Sequence, residues 1–196
     1  MSSVRTLTLA DAFLPRAGAL TSLLMIVGAS LATAAAAQLA IPVPWSPVPI
    51  TGQTFAVLLS GAILGTRRAL IAQALYLLEG AAGLPFFAGG AGGAALFAGP
   101  TGGYLMAFPL AAAVTGMLAE RGWDRRFGTM MAAMLIGSVV IFAFGLAMLS
   151  RFVAPEALLA AGLWPFIPGD IVKAALAAIA FPTAWRMARP NGGGAA

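Results

Sequence analysis

Long apolar runs separated by short polar gaps make up most of this chain. The runs lie at 17–40, 51–66, 69–84, 101–119, 127–150 and 168–185. A helix needs about 20 apolar residues to cross the hydrocarbon core of a bilayer, so each run predicts a membrane-spanning helix. The second and third runs are shorter, and adjoining loop residues or local thinning of the bilayer must assist them. The pattern predicts an all-α integral membrane protein, a six-transmembrane-helix bundle forming one membrane domain over residues 1–196.

Arginines mark one side of the predicted bundle. Arg67 and Arg68 separate the second run from the third, and fusing those runs would bury both charges in the membrane. The other basic residues on this side are Arg5, Arg16, Arg121, Arg125, Arg126, Arg186 and Arg189. The opposite side carries only Arg151. Because cytoplasmic loops are enriched in Lys and Arg, both termini are predicted to be cytoplasmic.

The start of the chain has a second interpretation. Basic residues and an apolar stretch precede Ala-Thr-Ala at 32–34, a pattern also typical of a cleaved signal peptide. Cleavage would leave the later helices in the same orientation, so the charge pattern does not distinguish the two. Because the apolar run continues to Ala40, we expect an uncleaved first helix.

Composition restricts the chemistry open to the chain. Its residues are 61% hydrophobic and 9% charged, with a mean hydropathy of +0.95. The net charge of +5 is spread over the gaps between apolar runs, which indicates topology and not nucleic-acid binding. Without Cys or His the chain has no thiolate nucleophile, imidazole base or usual zinc ligand. We expect no metal, no cofactor, no nucleic-acid partner and no enzymatic activity.

Three segments opposite the arginine-rich side contain few polar residues. They are IPVPWSPVPIT at 41–51, the glycine-rich stretch 85–104, and AGLWPFIPGD at 161–170. Prolines stiffen the first segment, which contains Trp45. Long apolar loops are more often lids or binding walls than connectors, so this side is expected to bind a ligand.

Asp170 and Lys173 lie one turn apart at the start of the last run, hence on one helical face. A charge within hydrocarbon costs roughly 2.5 to 3.5 kcal/mol on insertion scales, so two charged residues in this run must have a structural or functional role. One interpretation is a capping Asp with a Lys that extends outward to water. The interpretation we favour is an acceptor and a donor presented side by side to an uncharged polar group.

Weaker candidates lie near the same outer level. Glu79 ends the third run, where it is either a site residue or a solvated surface carboxylate. Gln53 and Thr54 begin the second run and either line the cavity or satisfy helix-end amides. GPTGGYL at 99–105 is either an anion site of backbone N–H groups or a glycine-rich helix entry.

Small residues follow one face of the first predicted helix, including Ala29, Ala32 and Ala36. Such a face permits close contact between helices in a membrane. It either binds a partner subunit or packs within the bundle.

Four stretches together resemble the BioY family, the biotin-specific substrate-capture (S) components of energy-coupling-factor (ECF) transporters. They are SPVPITGQT (46–54), GLPFFAGGAGG (83–93), GPTGGYL (99–105) and FIPGDIVKAALA (166–177). The resemblance covers essentially residues 17–185. Gly52, where a larger apolar residue is expected, and Phe86, where Val is commoner, depart from the family pattern and should reshape a cavity wall.

The resemblance implies a multi-pass subunit of the bacterial cytoplasmic (inner) membrane that captures biotin from outside with high affinity. Its implied partners are a transmembrane coupling (T) subunit and two ATPase subunits. This agrees with the absence of a P-loop, since the only lysine, Lys173, is followed by Ala174 where that motif requires Ser or Thr.

Biotin gives each candidate residue a role under this resemblance. Asp170 and Lys173 would meet the N–H and carbonyl groups of the ureido ring, with Glu79 or Gln53 as a further partner. The aliphatic tail would lie against Trp45, Val43 and phenylalanines. The carboxylate would bind the amides of Gly102 and Gly103 and the Tyr104 hydroxyl.

The residues taken by themselves are compatible with two other functions. A stand-alone secondary transporter of a small organic acid would use Glu79 or Asp170 to take up a proton. An enzyme would use the same two carboxyl groups as an acid/base pair. The short helices, uncharged outer loops and small-residue face favour the binding subunit.

Overall fold

The computed structural model describes residues 8–15 and 17–188, and most of them are helical. The α-helices are α1 Leu9–Phe13, α2 Ala19–Ala37, α3 Gln53–Leu64, α4 Thr66–Ala81, α5 Gly102–Glu120, α6 Phe127–Leu149, α7 Leu158–Gly162 and α8 Ile167–Ala188. Short 3-10 helices lie at Ala88–Gly90, Ala94–Ala98, Trp123–Arg125 and Pro155–Ala157. Arg5, Arg16 and Arg189, which supported the predicted orientation, lie outside the described residues.

A two-stranded antiparallel ribbon departs from the all-α prediction. Strand β1, Ala40–Ile41, pairs with β2, Ile50–Thr51, in the register Ala40 to Thr51 and Ile41 to Ile50. Two residues per strand are too few to show an alternating polar pattern, so the sequence carried no signal for it. The ribbon closes the proline-rich segment into a loop beside the start of α3.

Four segments are long and apolar enough to cross a membrane, among the described residues. They are Ala19–Ala37, Gly102–Glu120, Phe127–Leu149 and the hydrophobic region within Pro155–Ala188. Helix α3 has 12 residues and α4 has 16. At 1.5 Å per residue, α3 is roughly 18 Å long, well short of a hydrocarbon core of about 30 Å. The six spans and the orientation of the termini stay predictions.

Helix α5 lies at the centre and packs against α3, α4 and α6. Glycines allow this close approach. A Cβ added at Gly61 would lie 2.4 Å from the Ala112 carbonyl oxygen, and one at Gly116 would lie 2.6 Å from the Thr66 nitrogen. Small residues at helix contacts are the usual basis of association within membranes, where apolar burial adds little.

Side chains from separate elements close the end of the bundle that lies opposite the start of α3. Glu120 accepts hydrogen bonds from the Thr66 N–H at 2.8 Å and its hydroxyl at 2.9 Å, which satisfies the positive end of α4. Asp124 is fully buried and accepts a hydrogen bond from the Trp185 indole at 2.5 Å. Burial raises the pKa of Asp124 against the opposing effects of Trp185 and the Arg125 charge.

Helix α1 docks on this same end. Leu9 and Ala10 are buried, and Asp11 forms an ion pair with Arg68 at 2.7 Å. The Thr8 hydroxyl caps the helix through the Asp11 N–H. Burial acts to raise the pKa of Asp11, but hydrogen bonds from Arg68 and Thr8 outweigh it and hold that pKa below its usual value.

Candidate functional site

A cavity of about 290 Å³ lies where the starts of α3, α5 and α8 meet the segment before α5. Its wall is largely apolar, and the larger apolar side chains are Val48, Ile50, Phe87, Leu96, Leu105, Phe108, Ile141, Phe142 and Phe166. Its polar side chains are Thr51, Gln53, Thr54, Thr101, Tyr104, Asp170 and Lys173. An apolar cavity with a few convergent polar groups is typical of a small-molecule site.

Lys173 and Asp170, which helical spacing predicted to lie on one face, both line this cavity. The Lys173 Nζ lies 2.9 Å from the Thr54 hydroxyl, 3.1 Å from the Thr51 carbonyl and 3.4 Å from Asp170 Oδ1. These three oxygens match the three donors of an ammonium group. Asp170 is only 7% exposed, and its second carboxylate oxygen accepts no hydrogen bond among the described residues. It therefore keeps an acceptor for a ligand.

The hydroxyl of Thr54 is oriented by its hydrogen bond with Lys173. Its hydroxyl oxygen accepts the lysine's hydrogen bond, and no acceptor for its proton is found in the described part of the chain. Because the Thr54 side chain lines the cavity, that proton is available to an acceptor within it.

Gln53 is held by a chain of two hydrogen bonds. Its Nε2 donates to the Tyr76 hydroxyl at 3.1 Å, and this hydroxyl donates to the Phe86 carbonyl at 3.1 Å. Gln53 lines the cavity, whereas Tyr76 lies behind it and is fully buried. No sequence pattern singled out Tyr76, since it lies within an apolar run.

The ring of Tyr104 lines the cavity, but its hydroxyl donates to the Gly162 carbonyl at 2.9 Å. Gly102 and Gly103 are buried outside the lining. A Cβ on Gly102 would lie 2.1 Å from the Phe97 carbonyl oxygen, and one on Gly103 would lie 2.3 Å from that of Phe144. Both glycines thus permit close backbone packing.

The proline-rich loop turns different residues towards the cavity from those predicted. Trp45 is 67% exposed and Val43 is buried, and neither lines the cavity. Val48 lines it instead. The Ser46 hydroxyl donates to the Ala161 carbonyl at 2.7 Å, which ties this loop to α7.

Glu79 lies outside the lining and accepts a hydrogen bond from the Ser30 hydroxyl, joining α4 to α2. On α2, Ala32 is exposed while Ala29 and Ala36 are partly buried. Ala36 faces α3, since its carbonyl oxygen lies 2.7 Å from a Cβ built on Gly52. All the predicted ligand contacts stay predictions, as does a partner surface on α2; the residues are Asp170, Lys173, Gln53, Tyr104, Glu79, Trp45, Val43, Gly102 and Gly103.

Comparisons with known proteins agree on one family. The sequence model of the BioY family matches residues 7–190. A probable biotin transporter BioY from Pyrococcus horikoshii is 41% identical over 147 residues, covering 75% of this chain and 85% of that protein. The biotin transporter BioY of Rhizobium etli is 39% identical over 141 residues, or 68% of this chain and 75% of that protein.

A solved structure has the same fold. The crystal structure of the S-component for biotin from an ECF-type ABC transporter superposes with a TM-score of 0.76 and 28% sequence identity. The match covers 85% of this chain and 92% of that chain.

Proposed function

The chain belongs to the BioY family, and from this premise we propose that it is a high-affinity biotin-binding S component that captures the vitamin for an ATP-driven ECF transporter. The family consists of transport subunits, so the chain is not an enzyme, as its sequence indicated. The relatives named above as biotin transporters support the choice of ligand.

One observation carries the proposal, which is the pairing of donors and acceptors at one end of an apolar cavity. Asp170 and Gln53 offer acceptors, and Thr54 offers a donor. A ureido ring has the complementary set, two N–H donors and one carbonyl acceptor. Burying such a ring costs about 1 to 3 kcal/mol for each group left unpaired, so a matched set selects this ligand.

The positions proposed for the tail and the carboxylate of biotin follow from the residues of the cavity wall. We place the aliphatic tail against the aromatic and aliphatic side chains around Phe166. Trp45 and Val43 belong to the loop above the cavity and would cover its mouth. The carboxylate would lie at the start of α5, near Gly102, Gly103 and Tyr104, where helix N-termini favour anions. Glu79 would supply a further polar contact to the ureido ring.

The proposed topology is a bundle of six spans with both termini cytoplasmic, in the bacterial cytoplasmic membrane. The arginines support it, since Arg67, Arg121, Arg125, Arg126 and Arg186 are exposed at the end of the bundle away from the cavity. The cavity then opens to the outside. Membrane lipid covers the apolar sides of the bundle.

ATP hydrolysis belongs to partner subunits in this proposal. The chain has no P-loop, so a transmembrane coupling subunit and two ATPase subunits would supply the energy. The exposed Ala32 on α2, with Ala29 and Ala36 one turn away on either side, is the surface proposed for the coupling subunit.

Isothermal titration of the purified chain in detergent with biotin tests the proposal. We expect saturable binding of one biotin per chain and none of a fatty acid of similar length, which lacks the ureido ring. Absence of biotin binding would overturn the function. Uptake by the chain alone in liposomes, driven by a pH gradient, would instead establish the secondary transporter.

A further inference from the structure

The orientation of the Gln53 amide follows from the number of protons on Tyr76. A phenol carries one proton, and Tyr76 lies 3.1 Å from the Phe86 carbonyl, which can only accept. The tyrosine oxygen is therefore an acceptor towards Gln53. Only the amide nitrogen of Gln53 can donate to it, so the amide oxygen must point the other way.

The Gln53 amide oxygen opens into the cavity. It accepts no hydrogen bond among the described residues. It is also absent from the buried atoms that lack a partner in that part of the chain, which are Gln73 Oε1 and Asp124 Oδ1. Gln53 is 4% exposed and lines the cavity, so the space open to its oxygen is the cavity itself.

Aromatic packing fixes the position of the Tyr76 ring. Its ring is 0% exposed and lies edge-on to Phe87, with centroids 5.6 Å apart, and stacked on Phe108 at 6.3 Å. Both phenylalanines line the cavity. The acceptor at Phe86 is fixed too, because its N–H donates to the Leu84 carbonyl at 2.7 Å.

We propose that Tyr76 is a positioning residue that acts through Gln53, locking the glutamine so that its carbonyl oxygen, and not its NH₂ group, meets an N–H donor of the ligand. This inference rests on the proposed function and identifies the donor as one ureido N–H of biotin. Without the tyrosine hydroxyl the amide is free to rotate, and its NH₂ group would oppose the ligand's N–H.

A double-mutant cycle tests this role by biotin titration of wild type, Tyr76→Phe, Gln53→Ala and the double variant. We expect Tyr76→Phe to weaken binding about three- to tenfold, the range for loss of one neutral hydrogen bond. In the Gln53→Ala background the same change should cost nothing further. A Gln53→Glu background should also abolish the effect, because a carboxylate presents an acceptor in either orientation.

Ser60→Ala is the matched control. The Ser60 hydroxyl accepts from Gln73 Nε2 at 3.0 Å, so this variant also cuts one α3–α4 hydrogen bond, but away from the cavity. It should bind biotin as wild type does. Equal losses in Ser60→Ala and Tyr76→Phe, unchanged binding by Tyr76→Phe, or an undiminished penalty in the Gln53→Ala background would each overturn the inference. If wild type itself bound no biotin, the proposed function would fail first, and the inference with it.

Discussion

The ammonium group of Lys173 organises the polar end of the cavity without leaving a donor spare. It contacts Thr51, Thr54 and Asp170, and these contacts join α8 to β2 and to the first turn of α3. It balances the charge of Asp170, which burial would otherwise disfavour. It also fixes Thr54 as an acceptor on one side, which directs the hydroxyl proton to the other. In the proposed complex, Lys173 would therefore act on the ligand through Thr54 and Asp170.

Replacing Asp170 by Asn should weaken biotin binding. Hydrogen bonds to charged groups contribute about 1.5 to 3 kcal/mol, so titration should report a loss of roughly 10- to 100-fold. Glu156→Gln is the matched control, because it neutralises an exposed acid at the same end of the bundle. Unchanged affinity of the Asp170→Asn variant would remove this carboxylate from the site.

Thr54 allows a second comparison at the residue scale. Thr54→Val keeps the shape but removes both the acceptor for Lys173 and the donor to the ligand, and should lower biotin affinity about tenfold or more. Thr54→Ser keeps the hydroxyl and should bind nearly as wild type. Equal affinities of these two variants in the same titration would contradict a donor role for Thr54.

At the scale of elements, short helices are anchored by their ends. Helix α4 begins on the Glu120 carboxylate, and α1 is attached to α4 through Asp11 and Arg68. Because the folded-state pKa of Asp11 is lowered, its contribution to docking is fully present above the ordinary value of 3.8. That contribution is lost as the pH falls through the lower folded-state pKa.

Breaking the ion pair should loosen α1 alone. Asp11→Asn or Arg68→Gln should speed amide hydrogen exchange at residues 9–13 at neutral pH, with the exchange of α5 unchanged. Arg67→Gln is the control, since Arg67 is the exposed neighbour of Arg68 and neutralising it leaves the pair intact. Exchange at 9–13 that matches wild type in both variants would show that Leu9 and Ala10 alone hold the helix.

At the scale of the whole molecule, the two ends of the bundle differ in charge and content. The cavity occupies one end. The docked α1 and five exposed arginines occupy the other, namely Arg67, Arg121, Arg125, Arg126 and Arg186. In the proposed orientation the cavity would open to the outside and the basic face would lie towards the cytoplasm, as expected for a subunit that binds its ligand before ATP is hydrolysed.

Cysteine labelling tests this orientation directly because the chain contains no Cys. In intact cells, a membrane-impermeant maleimide should label Glu156→Cys and should label Arg126→Cys only after the membrane is opened. Biotin binding by both variants would verify that the fold is retained. The reverse labelling pattern would invert the proposed topology.

The sequence predicted most of what is local. Apolar runs predicted helices whose observed bounds differ by a few residues, since the length and periodicity of a run are local properties. The i, i+3 spacing of Asp170 and Lys173 placed both on one face, and both line the cavity. The brief β1–β2 pairing escaped prediction because two residues per strand are too few to show an alternating pattern.

Tertiary structure alone decided which loop residues reach the cavity and which polar groups remain unpaired there. Trp45 and Val48 occupy the same proline-rich loop, which docks on α7 through Ser46. In the docked loop Val48 lines the cavity and Trp45 lies outside it. Likewise, the sequence shows Tyr76 only as a member of an apolar run. The folded structure places Gln53 and Phe86 within hydrogen-bond distance of its hydroxyl. Helical periodicity is set by neighbours in the chain, whereas hydrogen-bond partners are set by contacts between distant segments.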